Sequence, residues 1–379
     1  MSPARHSRGV GVTAAARRPS PAAGSTTVDV RIVDPRVDDE PEGWSAFFDS
    51  ARLQPVWDYR LLRLEAWTSR NPPVLAVVRD GGQIVGGLSA MVCSGWNDQS
   101  YARVNSVRSG RLRPRWAEVY LPLLSGYPGC VLHTDAKTRR DAIRRFEREL
   151  LRYLGFGLLG VMYRAMTADL AAAMSGRGRM VRQIDPAAVL TGVATEADWR
   201  ALVAPDLLRT LDGISADSTI ETTAAAGRDD LDPHELTAML NAHRARQDGR
   251  AWAGGQRARV GGLHMDTRSP IAPSYLDELV RRKDVITRTY RRSGRLLGFN
   301  TMIDHPQSAA VHHWAALPRA EGGQPGLYVD AYARCVRKAV EGGNRELTAG
   351  RAMLPEKADL GFGTRDLFTV AVPRPVLGR

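Results

Sequence analysis

Apolar and polar positions alternate over residues 28–33, the period of a half-buried strand, and the spacing then lengthens so that 44–51 and 56–68 read as helices. Residues 74–92 form a hairpin pattern around Asp80-Gly81-Gly82, residue types that accept positive φ. Ile143, Phe146, Leu150 and Leu154 make one stripe of a helix at 141–154, stopped by Gly155 and followed by a buried strand at 158–163. A crossover at 166–195 leads to a helical pattern at 199–211 and an extended one at 219–226. Asp232 as cap, Pro233 at the first position and Glu235 closing a capping box start a helix at 232–247, with Leu236, Met239, Leu240 and His243 along one side. A short helix at 274–282 precedes a second hairpin at 285–304. The chain then runs strand (311–317), Gly-rich turn (321–326), helix (327–341), strand (346–350) and a polar loop holding Lys357 ahead of Leu360-Gly-Phe362.

The two hairpins can be laid on each other. Arg79-Asp-Gly-Gly-Gln-Ile-Val-Gly86 and Arg291-Arg-Ser-Gly-Arg-Leu-Leu-Gly298 share the turn Gly, the apolar pair after it and the next Gly. Each is later followed by an amphipathic helix, a Gly and an apolar strand, and this second match in the same order points to a duplicated module.

Length and charge sharpen this picture. A chain of 379 residues, 43% apolar and 25% charged, is globular in composition and long enough for two domains. Residues 1–27 hold four arginines, no acid and much Ala, Gly, Ser and Pro, and read as a disordered basic tail. No apolar run approaches a membrane span and no apolar-cored signal peptide opens the chain, so the expectation is a soluble cytoplasmic protein. Cys93, Cys130 and Cys335 are too few and too scattered for a disulfide framework or a Cys-based zinc site, and no His, Asp or Glu cluster has metal-ligand spacing. The net charge of +12 favours an anionic partner such as RNA, a nucleotide-bearing donor or a phosphorylated acceptor. Only four basic residues are lysines, which draws attention to Lys357. Two stretches are open to either reading. Trp96, Tyr101, Trp116 and Tyr120 interleave with arginines, as a nucleic-acid surface or an ordinary basic loop; residues 250–268, rich in Gly and Arg, read as a lid or as plain loop.

Gly326-Leu-Tyr-Val-Asp-Ala-Tyr332, the turn and strand Gly342-Gly-Asn-Arg-Glu-Leu-Thr-Ala-Gly350, and Glu356-Lys357 followed by Leu360-Gly-Phe362 together resemble the GNAT superfamily. The closer likeness is to its tandem-module branch, the Fem-type aminoacyltransferases and Fem-like peptidoglycan-biosynthesis acyltransferases. It runs best over 285–372 and more weakly over 28–166. The resemblance implies an α/β fold of two tandem GNAT-like modules, each a mixed twisted sheet flanked by helices, at 28–195 and 196–379. It also implies amide formation from an activated donor, acyl-CoA or aminoacyl-tRNA, on an amine acceptor such as a cell-wall precursor or secondary metabolite, with no tightly bound cofactor. The GNAT phosphate signature is met only partly by Arg319-Ala-Glu-Gly322-Gly-Gln324, whose last position is Gln.

Such a transfer needs a route for the amine proton, a cation or N–H beside the carbonyl oxygen, and a grip on the donor. His312 and His313 share a strand, so alternation sends them to opposite faces and at most one looks into the cleft; His313 is the preferred base. Asp330 matches an acidic position of the Fem-like relatives and would orient the amine. Tyr328 or Tyr332 would protonate the leaving group, and Lys357 would neutralise an oxyanion or a phosphate. Arg319 and the turn amides of Gly322, Gly323 and Gly326 are the candidate donor contacts, because a Gly-rich turn opening a helix presents unpaired N–H groups. Each has a plainer alternative: a core imidazole, a helix-dipole carboxylate, core aromatics, a solvated lysine. Two competing readings of the whole chain are a non-catalytic RNA- or polyanion-binding protein on a degenerate transferase fold, and an unrelated α/β protein.

Overall fold

The computed structural model describes residues 28–94, 114–253 and 269–379. The basic tail, nearly all of the aromatic–arginine stretch before Trp116 and most of the Gly/Arg loop lie outside the described residues. The first half contains β1 (Asp29–Val33), α1 (Trp44–Ser50), α2 (Tyr59–Thr68), β2 (Pro73–Asp80), β3 (Gln83–Cys93), β4 (Arg115–Val119), β5 (Cys130–Leu132), α3 (Ala136–Leu154), β6 (Leu158–Met166), α4 (Ala168–Met174) and β7 (Met180–Thr191). The second contains α5 (Glu196–Leu202), α6 (Pro205–Ala216), β8 (Glu221–Ala226), α7 (Pro233–Ala253), α8 (Pro273–Val280), β9 (Val285–Arg292), β10 (Arg295–Ile303), β11 (Ala309–Ala316), α9 (Leu327–Glu341), β12 (Glu346–Thr348), α10 (Leu354–Ala358) and β13 (Gly363–Pro373).

Local chemistry accounts for the boundaries. Asp58 caps α2, and Asp135 caps α3, starting that helix at Ala136, ahead of its apolar stripe. The helix expected at 199–211 is two helices: a Thr195/Asp198 capping box opens α5, and Pro205, which has no N–H and cannot continue a preceding turn, restarts the chain as α6 after the extended Ala204. Asp232 caps α7 through the His234 amide, but Glu235 pairs with Arg291 on the neighbouring strand instead of closing a box.

The duplication extends to hydrogen-bond register. Both hairpins turn on two residues of positive φ, Gly81 and Gly82 in one, Ser293 and Gly294 in the other. Each then carries a bulge one residue on: Arg79 pairs Ile84 but Val78 pairs Gly86, and Arg291 pairs Leu296 but Tyr290 pairs Gly298. The glycine after each bulge meets the next strand closely. A Cβ on Gly86 would sit 2.3 Å from the Val131 carbonyl oxygen, and one on Gly298 would sit 3.0 Å from that of Ala315.

Each half lays down four antiparallel strands, crosses over through a helix (α3 or α9) and returns with a strand parallel to the fourth: β4 beside β6, β11 beside β12. The halves then exchange edges. β13, from the end of the chain, lies between β6 and β7, while β7 also pairs with β12, so one sheet runs β1-β2-β3-β4-β6-β13-β7-β12-β11-β10-β9-β8. The cores interlock as well. Ile303 and Ala310 pack with Trp44, Trp57 and Leu121, and Leu61 of α2 joins Leu236, Tyr275 and Phe299. Among the described residues no helix is long and apolar enough to cross a membrane.

Candidate active site

The seam between β11 and β12 opens. The two strands pair at Ala309↔Leu347 and Ala310↔Thr348, and among the described residues the pairing goes no further, so Val311 to Trp314 border a gap. A cavity of about 270 Å³ fills it. One wall is β11 and the Tyr328/Tyr332 face of α9, and a second is Gly350, Arg351 and Lys357. A third comes from the first half of the chain, the segment after β4 bearing Tyr120, Leu123 and Ser125, and Arg244 and Gln247 of α7 reach in as well.

His312 and His313 both line this cavity, their ring centroids 3.8 Å apart, which corrects the expectation of opposite faces. The reason is a bulge: Asn300 pairs Trp314 and Met302 pairs Val311, so both histidines stand opposite Thr301 and the simple alternation fails. Thr301 organises them. Its Oγ1 accepts from the His313 amide at 3.0 Å and lies 3.3 Å from His312 Nδ1. His312 Nε2 is 2.6 Å from the Leu123 carbonyl oxygen, so that nitrogen carries the proton and Nδ1 accepts from the Thr301 hydroxyl. Burial pushes the His312 pKa down to about 4. His313 is driven well below the ordinary imidazole range by burial, by His312 and by Arg244, and its Nε2 has no hydrogen-bond partner among the described residues. Both rings are neutral at physiological pH, and His313 keeps an unused nitrogen.

Lys357 sits on α10, not in the polar loop expected for it, and is 3% exposed. Its Nζ donates to the Ala349 carbonyl, and burial lowers its pKa to about 8 despite the opposing pull of Glu356. Tyr328 lies between Trp314 and Tyr332, at 5.7 and 4.5 Å between ring centroids. Its phenol is pushed up to about 12, chiefly by burial. The described lining residues include three cations, Arg244, Arg351 and Lys357, and no Asp or Glu. This composition favours a ligand carrying negative charge or a transition state developing it.

Asp330 does not join them. Two positions from Tyr328 on a helix is the other side, and there its carboxylate accepts from the Tyr290 hydroxyl at 2.8 Å and from Arg334 Nε at 2.7 Å. The Gly-rich turn also stands apart from the cavity. The Gly322 and Gly323 amides donate within the turn, to the Arg319 and Pro318 carbonyls at 3.1 and 3.0 Å. Gly326 is roofed by α6, since a Cβ there would lie 2.7 Å from Thr210 Cγ2. Arg319 is exposed on the same turn. The Gly322 and Gly323 amides are thus spent within the turn, and His313, Lys357 and Tyr328 line one cavity while Asp330, Arg319, Gly322, Gly323 and Gly326 are not among its lining residues. The wall at Tyr120–Ser125 went unread because nothing local ties it to a strand nearly two hundred residues later.

Among solved structures the chain is similar to FemX, at 9% identity over 88% of this chain and 96% of that one, with a TM-score of 0.52. It is also similar to a tandem GNAT protein from the clavulanic acid biosynthesis pathway, at 12% identity over 91% and 98% with a TM-score of 0.47. A third likeness is to the C-terminal domain of a putative lysylphosphatidylglycerol synthetase from Agrobacterium fabrum, at 11% identity over 84% and 88% with a TM-score of 0.49. No family model matches the chain, and no curated protein matches it by sequence. The fold is the tandem GNAT/Fem-like fold, two modules built on one plan.

Proposed function

We propose that the chain is an acyl- or aminoacyltransferase that forms an amide in the cleft between β11 and β12. The observation that carries this reading is the convergence of His313, Lys357 and Tyr328 on one cavity whose described lining residues include no Asp or Glu, at the point where the parallel strands part. In this reading the amine nitrogen of the acceptor attacks the carbonyl carbon of a thioester or aminoacyl ester. The new C–N bond moves charge onto the carbonyl oxygen, and the Lys357 ammonium, protonated below about pH 8, offsets it. His313 Nε2 takes the proton released by the amine; His312 is excluded because its Nε2–H is committed to Leu123. Collapse breaks the C–S or C–O bond, and Tyr328, whose phenol holds its proton firmly, donates to the leaving thiol or hydroxyl. The likeness of fold to FemX supports a transferase reading at a coarse level.

The donor is either acyl-CoA or aminoacyl-tRNA, and the acceptor a cell-wall precursor or secondary metabolite amine. Radiolabelled acyl-CoA pools and charged tRNA, each offered with amines of several classes, divide the two donors. Transfer from one of them that falls by about 10²-fold or more in folded His313→Asn supports the reading. Transfer from neither overturns it. The same three cations also favour the second reading, a polyanion binder without turnover. That reading is supported if RNA affinity falls steeply with salt and no transfer is found.

A further inference from the structure

A second cavity, of about 400 Å³, lies on the same module beside its edge strand. Ala224 of β8 pairs directly with Arg288 of β9, so the two side chains share a face, and a residue ending at Cβ leaves space next to the guanidinium. Arg334, Arg337, Lys338 and Glu341 of α9 overhang that space, and Asp304 closes one end.

The cations here are not equivalent. Arg334 is paired with Asp330, Arg337 grips Glu196 with two nitrogens at 2.8 and 2.7 Å, and Lys338 is 3.8 Å from Asp304. Arg288 is different. It is 7% exposed, its Nη1 donates to the neutral Asn300 Oδ1 at a long 3.3 Å, and its Nε has no partner. Among the described residues no carboxylate lies within ion-pair distance of it. The nearby Asp330 accepts from Tyr290 and Arg334 through Oδ2, and its Oδ1 has no hydrogen-bond partner among the described residues. A guanidinium stays charged at any physiological pH, and a buried unpaired charge is the arrangement that proteins avoid unless a ligand completes it. With Arg334 and Arg337 held by Asp330 and Glu196 and Lys338 beside Asp304, Arg288 is the described lining cation that no carboxylate engages, and an anion entering the cavity would supply that partner.

We infer that this cavity binds the phosphate of a small phosphorylated molecule, with Arg288 as its buried anchor and the α9 arginines at its rim. Arg suits the role because its planar fork meets two phosphate oxygens at once. The site is distinct from the cleft of the proposed transfer. The two lie under different parts of α9, whose Tyr328 and Tyr332 line the first and whose Arg334 and Arg337 line the second.

Equilibrium dialysis of the whole chain against labelled inorganic phosphate and pyrophosphate, at constant ionic strength, tests this. One equivalent should bind per chain, with affinity reduced about tenfold or more in Arg288→Met. If that variant does not fold, Ala224→Asp serves instead: it places a carboxylate opposite Arg288 on an exposed edge position and should displace the anion. Lys357→Met should leave the binding intact. The inference is overturned if the wild-type chain binds neither anion at millimolar concentration, or if binding survives the folded site variants. It is also overturned if binding disappears in Lys357→Met alone, which would locate the anion in the other cleft.

Discussion

The two crossovers of this protein start from one plan and end differently. In the first module β4 pairs with β6 from Arg115↔Leu158 to Val119↔Tyr163, with one irregularity between Arg115 and Ala117, and among the described residues the two strands stay together over that span. Its helix α3 buries Glu147, which accepts from the Tyr163 hydroxyl, from both terminal nitrogens of Arg179 and from the Gly378 amide. In the second module β11 leaves β12 after Ala310, and the buried ionisable groups at the opening, His313 and Lys357, face no carboxylate among the described lining residues. A closed copy satisfies its buried charges internally, whereas an open copy leaves polar groups for something else to satisfy. Pairing length between two parallel strands is what separates the closed seam of one module from the open seam of the other.

The sharpest way to break this contrast is to open the closed copy. Glu147→Ala strands Arg179, whose side chain is 3% exposed, without its counter-charge, and should cost about 3–5 kcal/mol in urea unfolding. A loss under 1 kcal/mol would mean that the pair is incidental.

Lys357→Met probes the open copy and should move two observables in opposite directions. Transfer should fall by about 10²–10³-fold, the usual effect of removing one oxyanion donor. Stability at pH 7 should rise by up to about 3 kcal/mol. The sign follows from a folded pKa of about 8 below the unfolded value of 10.5: the unfolded chain binds the proton more tightly, so the contribution present above pH 10.5 is lost as pH falls through 8. A variant equally inactive and less stable would make Lys357 a structural residue.

Between the copies lies a third kind of buried charge. Glu65 of α2 is packed near Tyr275 of α8; its Oε1 and the Tyr275 hydroxyl have no partner among the described residues, and burial pushes its pKa up to about 7. Here the neutral form is favoured in the folded chain. Stability is therefore full below about pH 4.5 for this group and lost as pH rises through 7. Glu65→Gln should recover about 3 kcal/mol at pH 8 and nothing at pH 4, as read from denaturation midpoints. Equal effects at both pH values would show that the substitution acts through packing.

How much of this could be read beforehand depends on the range of the interaction. The hairpins, with Asp80-Gly81-Gly82 and Ser293-Gly294, and the duplication they announce are short-range signals, and so is the amphipathic stripe of α3. The exchange of β13 and β7 is not, because strand pairing across most of a chain leaves no local mark at either strand. The His312/His313 pair was misread for a definite reason: period-two alternation holds only where the ladder is regular, and the bulge opposite Thr301 breaks it. The Gly-rich turn misled in another way. Gly322, Gly323 and Gly326 do precede a helix, but whether the Gly322 and Gly323 amides are free depends on the Arg319 and Pro318 carbonyls, and the space beside Gly326 depends on the distant Thr210. Lys357 and His313, which both line the cavity, stand out in the sequence because their types are chemically scarce on an apolar element. Leu123 and Arg244 do not, since their role comes from position alone.

The smallest effect expected returns to the hairpins, where the copies can be compared residue for residue. Gly81 and Ser293 occupy the same turn position at φ 56 and 50, left-handed values that glycine adopts freely and serine does not. With nothing else changed, Ser293→Gly should stabilise the second hairpin by roughly 0.5–1 kcal/mol, less the added entropy of a freer unfolded chain. Gly81→Ser should cost the first hairpin a similar amount. A thermal-denaturation cycle of the two single variants and the double swap would show whether the turns are interchangeable. If Ser293→Gly destabilises instead, the serine hydroxyl is doing something at that turn that the glycine of the first copy does without, and the equivalence of the two hairpins would hold for backbone register but not for energy.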